Sequence, residues 1–227
     1  MAEITCTPFQ SRVAPDDMLF AKPVHWGIVE HAPAQMLPRE RLLLYSAVFA
    51  FAPARALEIG VAQGGSTRII HAALSDLNHG KLVSLDPMPD AALDWSETAE
   101  RATLLIGGSP DFLATAKEVA GGPFDFVFVD GDHSEEGVHR DLVGLLDVTE
   151  PGAQILLHDA YFPPVAAGID RALRESRAFR DAGMVSRTPH DGMEGEIPLR
   201  WGGLRQLVRV AVPRRRWYSQ LWRRHAD

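Results

Sequence analysis

The stretch that decides the fold is ALEIGVAQGGST, residues 56–67. It reads as a short buried strand that ends in an acid, Glu58, followed by a glycine-rich turn and the first residues of a helix. Such a turn surrounds a small pocket with free backbone N–H groups, as phosphate-binding turns do. Glu58 stands two residues before the first glycine, where it would repel a phosphate. A carboxylate there suits a ligand that carries a positive amine or sulfonium group.

Two other interpretations of this turn are a dinucleotide site and a structural turn that holds no ligand. The dinucleotide fingerprint is G-x-G-x-x-G, and the run from Gly60 to Gly64 lacks its second glycine. The spacing acid-x-Gly-x-x-x-Gly instead resembles the first motif of class I S-adenosylmethionine (SAM) methyltransferases. On that resemblance we assign cofactor binding to Glu58, Gly60, Gly64 and Ser66.

Composition narrows the classes of protein that the chain can belong to. Its 227 residues, 46% of them hydrophobic, suffice for one large domain. The net charge of −7 disfavours a nucleic-acid partner. Cys6 is the only cysteine, which excludes an intrachain disulfide and favours a reducing cytoplasm. No signal peptide and no apolar run long enough for a bilayer is recognisable, so we expect a cytoplasmic protein without a membrane partner.

The chain divides into three predicted segments. Residues 1–37 are rich in proline and predict an irregular arm or lid, which also favours a homo-oligomer. Residues 38–212 form the predicted domain, which opens with a helix from Pro38 to about Phe51. Residues 213–227 carry five arginines and one aspartate. This basic tail is either a solvated or packed terminal helix, or an arm for a partner or a membrane surface.

Strand and helix patterns alternate through the predicted domain, which indicates a doubly wound, Rossmann-like α/β fold. Short apolar strands of this kind suit a parallel sheet that is covered on both faces. Two later strand patterns have no long helix between them and predict an antiparallel hairpin at one edge of a seven-stranded sheet. The predicted parallel strands are 56–58, 82–85, 103–106, 126–129 and 154–157, the helices are 66–77, 91–101, 110–119, 135–146 and 165–175, and the hairpin strands are 184–187 and 204–212.

The predicted strands end in polar residues or glycines, and ligands of open α/β sheets bind at these carboxyl ends. Asp86 comes 28 positions after Glu58 and suits the two hydroxyls of a ribose; its other interpretation is a cap for the next loop. Gly108 and Ser109 follow the third strand, where they would allow close approach to an adenine ring. Ser109 also precedes a proline, as the N-cap of a helix does.

Acids and histidines follow the fourth and fifth predicted strands. Asp130, Asp132 and His133 lie in FVDGDHS, and His158 and Asp159 lie in LLHDA. Neighbouring strands are about 4.8 Å apart, so Asp130 and Asp159 could share one cation. Two carboxylates suit Mg²⁺, while the histidines leave Zn²⁺, Mn²⁺ and Fe²⁺ open. The alternative is that these residues are solvated strand ends.

Three segments together make the resemblance more specific. They are RERLLLYSAVFAFAPARALEIGVAQGGST at 39–67, FVDGDHSEEGV at 128–138 and LLHDA at 156–160. They resemble the SAM-dependent methyltransferases called methyltransferase family 24, which are related to macrocin-type sugar O-methyltransferases and cephalosporin-cluster enzymes, and more distantly to catechol O-methyltransferases. The likeness runs from about residue 39 to about residue 173.

The resemblance implies O-methylation of a small-molecule hydroxyl with SAM and a divalent metal such as Mg²⁺. Asp130 and Asp159 match metal ligands, and Asp130 also borders the cofactor. His158 stands where metal-dependent relatives often have an acid, and we include it as a metal ligand. Asp132 matches the general base of sugar-methylating relatives, and His133 is its neighbour and rival.

The resemblance also implies which residues contact SAM and which segments cover the acceptor. Glu58 would recognise the amino group of SAM, and Asp86 its ribose. The N-terminal arm and the segment 189–201 would cover the acceptor, which we predict to be a sugar or a glycosylated natural product. A catechol or phenol acceptor, a metal-dependent enzyme that transfers no methyl group, and a SAM-binding protein without catalysis are the alternatives.

Overall fold

A computed structural model describes residues 21–90, 94–96, 98–194 and 197–211. The basic tail and residues 1–20 of the predicted arm lie outside these ranges. The described elements form a seven-stranded sheet, a separate two-stranded hairpin and six helices. In chain order they are α1 (Trp26–His31), α2 (Pro38–Phe51), β1 (Arg55–Ile59), α3 (Gly65–Asp76), β2 (Lys81–Asp86), β3 (Ala102–Ile106), α4 (Leu113–Ala120), β4 (Phe124–Val129), α5 (Glu135–Val148), β5 (Thr149–Leu157), α6 (Pro163–Glu175), β6 (Phe179–Ser186), β7 (His190–Glu194), β8 (Ile197–Trp201) and β9 (Leu204–Arg209).

The main sheet confirms the predicted doubly wound topology, with the strand order β3-β2-β1-β4-β5-β9-β6. The first five of these strands are parallel, and β9 runs antiparallel to both β5 and β6. The strand order reverses between β1 and β4, which makes their carboxyl ends the crevice where ligands of such sheets bind. Ile59 pairs with Val129, and Val129 pairs with Leu157. The three residues that follow these positions therefore leave the sheet side by side.

The sheet separates two hydrophobic clusters. Along β4, Val127 and Val129 belong to one cluster, while Phe126 and Phe128 belong to the other, as the alternation of side chains along a strand requires. Helices α4, α5 and α6 cover the first face, and α1, α2 and α3 cover the second. Each fully buried phenylalanine stabilises the fold by about 1.5–3 kcal/mol. The strands are rigid supports for the loops at their carboxyl ends.

The predicted helix over residues 91–101 is wrong for the part that the structure describes. Residues 94 and 95 have no regular secondary structure, and residues 96 and 98–101 form turns. The side chain of Asp94 accepts a hydrogen bond from the Ser96 N–H, and the carbonyl of Trp95 accepts two from Thr98. Such local side-chain bonds compete with helix formation. Residues 91–93 and 97 lie outside the described ranges.

The predicted antiparallel pair at the sheet edge is confirmed as β6 and β9, although β6 begins earlier than expected. The segment 189–201, expected to be a loop, contains both strands of an additional hairpin, β7 and β8. Gly192 and Pro198 interrupt the strand pattern in the sequence, since both residue types are rare inside strands.

The described part of the N-terminal arm is fastened to the domain as a strap, residues 24–36. Asp76 accepts hydrogen bonds from the N–H groups of Val24 and His25. The guanidinium of Arg41 donates to four backbone carbonyls of the strap, at residues 30, 32, 34 and 36. Helix α1, which sequence analysis missed, lies within this strap. None of the described helices is long and apolar enough to cross a membrane.

Candidate active site

A pocket of about 140 Å³ opens at the carboxyl ends of β1, β4 and β5. The glycine-rich turn forms one side of it, the strap forms another, and the acids and histidines after β4 and β5 form the floor. Its lining residues are Pro33, Ala34, Gln35, Met36, Gly60, Val61, Ala62, Gln63, Gly65, Ser66, Asp130, His133, His158 and Asp159. The predicted cofactor turn and the predicted metal ligands therefore share one pocket.

The glycine-rich turn brings three parts of the chain close together. Gly60 has a φ of +92°, and a Cβ there would lie 2.1 Å from the carbonyl oxygen of Asp130. A Cβ on Gly65 would lie 2.4 Å from the Cα of Ala34 in the strap. Gly64 is the N-cap of α3. These glycines let the end of β4 and the strap approach the turn.

Glu58 lies beneath the turn and does not line the pocket. It is fully buried and accepts hydrogen bonds of 2.6 Å from the hydroxyls of Ser66, Thr67 and Ser84. Burial raises the pKa of Glu58 to about 7, against the effect of these hydrogen bonds. Ser66 both lines the pocket and donates to Glu58. A direct contact between Glu58 and a ligand stays a prediction, whereas its support of the turn is observed.

The other predicted cofactor residues lie around the turn. One carboxylate oxygen of Asp86 accepts hydrogen bonds from the N–H groups of Val61 and Ala62, at 2.8 and 3.0 Å. Its other oxygen accepts from the N–H of Met88. Asp86 thus stabilises the backbone of the turn. Gly108 and Ser109 follow β3, two strands from β1, and are not among the residues that line the pocket.

Two carboxylates and two imidazoles meet at the floor of the pocket. Nδ1 of His158 lies 3.1 Å from Oδ1 of Asp130 and 3.3 Å from Oδ2 of Asp159. Nε2 of His133 lies 3.1 Å from Oδ2 of Asp159 and 3.5 Å from Oδ1 of Asp130. Ligand atoms bound at about 2.0–2.2 Å to one small cation are about 3.0–3.5 Å apart. The two carboxylates, together with either imidazole, are therefore spaced as the ligands of one divalent cation would be.

The charges at this floor stabilise one another. Burial would raise the pKa values of Asp130 and Asp159, but contacts with the two histidines lower both below that of an ordinary aspartate. Asp130 and Asp159 in turn raise the pKa of His133 to about 9. Burial lowers the pKa of His158, yet the surrounding carboxylates raise it well above the usual value. Each carboxylate thus favours the charged form of the imidazoles beside it, and each imidazole favours the charged form of the carboxylates.

The two candidate bases point in different directions. His133 lines the pocket, and its ring meets Trp201 edge-on with a centroid distance of 5.8 Å. Trp201 stacks on Phe162 at 4.0 Å, which makes an aromatic wall beside the cluster. Asp132 is exposed and accepts a hydrogen bond from the Ser134 N–H at the start of α5. The geometry favours His133 over Asp132 as the group that meets an acceptor.

Two groups that support the cluster were not predicted from the sequence. Glu40 of α2 lies 3.2 Å from Nε2 of His158. Gly202 donates its N–H to Oδ1 of Asp159 at 2.6 Å. Glu40 also caps α2, because its side chain accepts from the N–H of Leu37. In the sequence, an acid in the first turn of a helix signals only such a cap.

The part of the chain that resembles known proteins contains this site. The family model described as "Methyltransferase domain" matches residues 57–160, which contain the glycine-rich turn and the cluster. Residues 57–160 are a class I methyltransferase domain. No curated protein matches the chain in sequence.

The methyltransferase domain and its surroundings are also similar to solved structures. The O-methyltransferase from Bacillus cereus in complex with SAH is 20% identical, with a TM-score of 0.59, over 88% of this chain and 94% of that one. The O-methyltransferase TomG from Streptomyces achromogenes, involved in tomaymycin synthesis and in complex with SAM, is 20% identical, with a TM-score of 0.58, over 87% of this chain and 91% of that one. These likenesses confirm the fold.

Glu58 provides a first test of the cofactor turn of the methyltransferase domain. We expect Glu58→Ala to weaken SAM binding at least tenfold and to destabilise the fold by about 3 kcal/mol. The change would leave three buried hydroxyls without their acceptor and would open a cavity. Glu58→Gln keeps the shape of the side chain and should lose much less SAM affinity and much less stability. Calorimetry with SAM and thermal unfolding measure both effects, with exposed Glu118→Ala as the matched control. Unchanged SAM affinity in Glu58→Ala would contradict this role.

Proposed function

We propose that this protein transfers a methyl group from SAM to a hydroxyl oxygen of a small molecule, assisted by a divalent cation. One observation carries the proposal: the glycine-rich turn and the cluster of two carboxylates and two imidazoles line the same pocket at the switch point of the sheet. A SAM-binding protein without catalysis would not need the cluster. A dinucleotide enzyme would carry the pattern G-x-G-x-x-G, which this turn lacks.

The cofactor side of the pocket supports SAM. Its sulfonium group is positive, and the ionised carboxylates of Asp130 and Asp159 lie on the floor of the pocket. Backbone groups of the turn and the hydroxyl of Ser66 line the opposite side. The structures from Bacillus cereus and Streptomyces achromogenes hold SAH and SAM, respectively. We assign the same cofactor to this chain.

The donor set favours a transition metal over the Mg²⁺ that the sequence suggested. Asp130, Asp159 and Nδ1 of His158 would hold the cation, with His133 on the more exposed side. Imidazole nitrogens suit Mn²⁺, Fe²⁺, Co²⁺ or Zn²⁺, whereas Mg²⁺ prefers oxygen ligands. When bound, such a cation supplies Lewis acidity that lowers the pKa of an acceptor hydroxyl.

The residues of the pocket then position the acceptor and SAM for a direct displacement. The acceptor oxygen forms a bond to the methyl carbon as the bond from that carbon to sulfur breaks, which leaves SAH and a methylated product. His133 faces the pocket and would accept the hydroxyl proton. Asp130 and Asp159 would hold the cation, and its charge would offset the negative charge that raises the pKa of His133, which would make the neutral imidazole available. The pocket holds the oxygen and the methyl carbon in line.

The acceptor in this proposal is a sugar or glycosylated natural product, and a phenol is the second candidate. The flat wall of Phe162 and Trp201 beside His133 favours an acceptor with a ring, whether a sugar face or an aromatic one. Methyl transfer to nucleic acid fits poorly with the net charge of −7. A cytoplasmic location and a homo-oligomer stay predictions.

The test combines cofactor binding with a metal panel. We expect SAM to bind in calorimetry, and methyl transfer to sugar or phenol acceptors to appear by mass spectrometry after loading with Mn²⁺, Co²⁺, Zn²⁺ or Mg²⁺. Transfer should be fastest with a transition metal and should stop with a chelator. Absence of SAM binding would contradict the whole proposal. SAM binding with transfer that a chelator leaves unchanged would contradict the metal alone.

A further inference from the structure

Glu40 is a buried carboxylate that the proposed reaction has not yet used. It lies on α2 with 0% of its surface exposed. Its Oε1 accepts hydrogen bonds from the N–H of Gly203 at 2.6 Å and from the hydroxyl of Ser186 at 3.3 Å. Its Oε2 accepts from the N–H of Leu37 at 3.0 Å. Buried acids are uncommon and need partners of this kind.

The fourth contact of Glu40 is with the floor of the pocket. Its Oε2 lies 3.2 Å from Nε2 of His158, whose side chain is only 1% exposed. A carboxylate only accepts hydrogen bonds, so the hydrogen of this contact belongs to Nε2. The other ring nitrogen, Nδ1, then faces Asp130 and Asp159 at 3.1 and 3.3 Å. The hydrogen of Nδ1 points to the place where their carboxylates meet, and a cation bound there would replace it.

We propose that Glu40 is a positioning residue that fixes His158 as an Nδ1 ligand of the cation. The proposal rests on the cation site of the proposed function. Metal-binding histidines usually donate their second N–H to a carboxylate or carbonyl, which sets the tautomer and the ring orientation. Loss of such a partner commonly costs 10- to 100-fold in metal affinity. Glu40 and His158 are 118 residues apart in the sequence, and the packing of α2 brings them together.

A pair of neighbouring glycines couples Glu40 to a second ligand. Gly202 donates its N–H to Oδ1 of Asp159, and Gly203 donates its N–H to Oε1 of Glu40. Both distances are 2.6 Å. Two consecutive N–H groups between β8 and β9 therefore hold a metal-binding carboxylate and the carboxylate behind His158. Displacement of Glu40 would disturb the cluster through His158 first.

The test titrates the full-length protein with Zn²⁺ alone, without SAM or acceptor, in a calorimeter. We expect Glu40→Gln to bind Zn²⁺ 10- to 100-fold more weakly than the unmodified protein, because its amide can donate to Nε2 and favour the wrong tautomer. Ser186→Ala removes another contact of the same carboxylate without touching His158, and should bind Zn²⁺ normally. The affinity for SAM should stay unchanged in both variants.

A double variant shows whether Glu40 acts through His158. In a His158→Gln background, Glu40→Gln should cause no further loss of Zn²⁺ affinity. An additive loss, or an equal loss of SAM affinity, would indicate a merely structural role and overturn the proposal. If Glu40→Gln does not fold, nitrogen NMR of the Zn²⁺-loaded protein decides the point. A proton on Nε2 of His158 supports the proposal, and a proton on Nδ1 overturns it.

The outcomes also separate this proposal from the proposed function. If the protein binds Zn²⁺ and Glu40→Gln binds it equally well, only the role of Glu40 is wrong. If the protein binds SAM but no Zn²⁺, the cation site fails and the role of Glu40 fails with it.

Discussion

Replacing Asp159 by asparagine is expected to reduce methyl transfer by about 10³-fold while SAM still binds. The reason is the position of its two oxygens. Oδ1 accepts the N–H of Gly202, and an asparagine oxygen can keep that bond. Oδ2 faces His133 and His158 at 3.1 and 3.3 Å, and there an amide removes the negative charge that a cation needs. We therefore expect metal affinity to fall by about 100-fold or more, since loss of an outer-shell partner alone costs about 10- to 100-fold.

The backbone at this position makes Asp159→Asn a clean substitution. Asp159 has a φ of 51°, in the left-handed region that asparagine tolerates better than most residues. Thermal unfolding should therefore show a folded protein. Exposed Asp147→Asn on α5 is the matched control and should leave transfer and metal affinity unchanged. Full activity of Asp159→Asn with a normal metal requirement would remove Asp159 from the cation site.

The parallel topology explains how the cluster could be predicted from the sequence. Parallel strands place their carboxyl ends at one edge, so the acids after two neighbouring strands had to lie close together. The observed register brings Asp130 and His158 to the same level beyond β4 and β5. The spacing within the glycine-rich turn likewise predicted a pocket beside them. These features depend on short stretches of chain and on the regular geometry of a sheet.

Features that depend on packing between distant segments could not be predicted. Glu40 reaches His158 only because α2 packs across the sheet, and in the sequence it resembles an ordinary helix cap. The difference between Asp132 and His133 is set by one local hydrogen bond, from the Ser134 N–H to Asp132, which turns that carboxylate away. The spacing of residues in the sequence cannot distinguish two adjacent candidate bases, although their side chains point to different surroundings.

The sequence predicted an N-terminal arm, but it did not predict the hydrogen bonds that attach the strap to the domain. No periodic pattern reveals that one guanidinium, that of Arg41, donates to four carbonyls of the strap. Asp76 holds the other end through Val24 and His25. These bonds hold the strap against the glycine-rich turn in the structure. Its contact with Gly65 therefore provides a test of whether the strap forms part of the cofactor site.

Gly65→Ala is expected to weaken SAM binding at least tenfold and to destabilise the fold by about 1–3 kcal/mol. The added Cβ would lie 2.3 Å from the backbone nitrogen of Ala34 and 2.6 Å from the carbonyl carbon of Pro33. Both atoms belong to the backbone, so the strap itself has to move. Alanine suits the first turn of α3 better than glycine does by about 0.5–1 kcal/mol, so the loss has to come from the strap.

Three further variants test whether the strap causes this loss: Gly27→Ala, Arg41→Ala and the Arg41→Ala/Gly65→Ala double variant. Gly27→Ala is the matched control, because Gly27 is also helical and a Cβ there would meet no atom within 4 Å. It should bind SAM normally. In an Arg41→Ala background the strap loses its clamp and can yield, so Gly65→Ala should cost less SAM affinity there than in the unmodified protein. Calorimetry measures the SAM affinity of the unmodified protein, of the three single variants and of the double variant. Equal losses in both backgrounds would show that the helix start, and not the strap, determines how the cofactor is held.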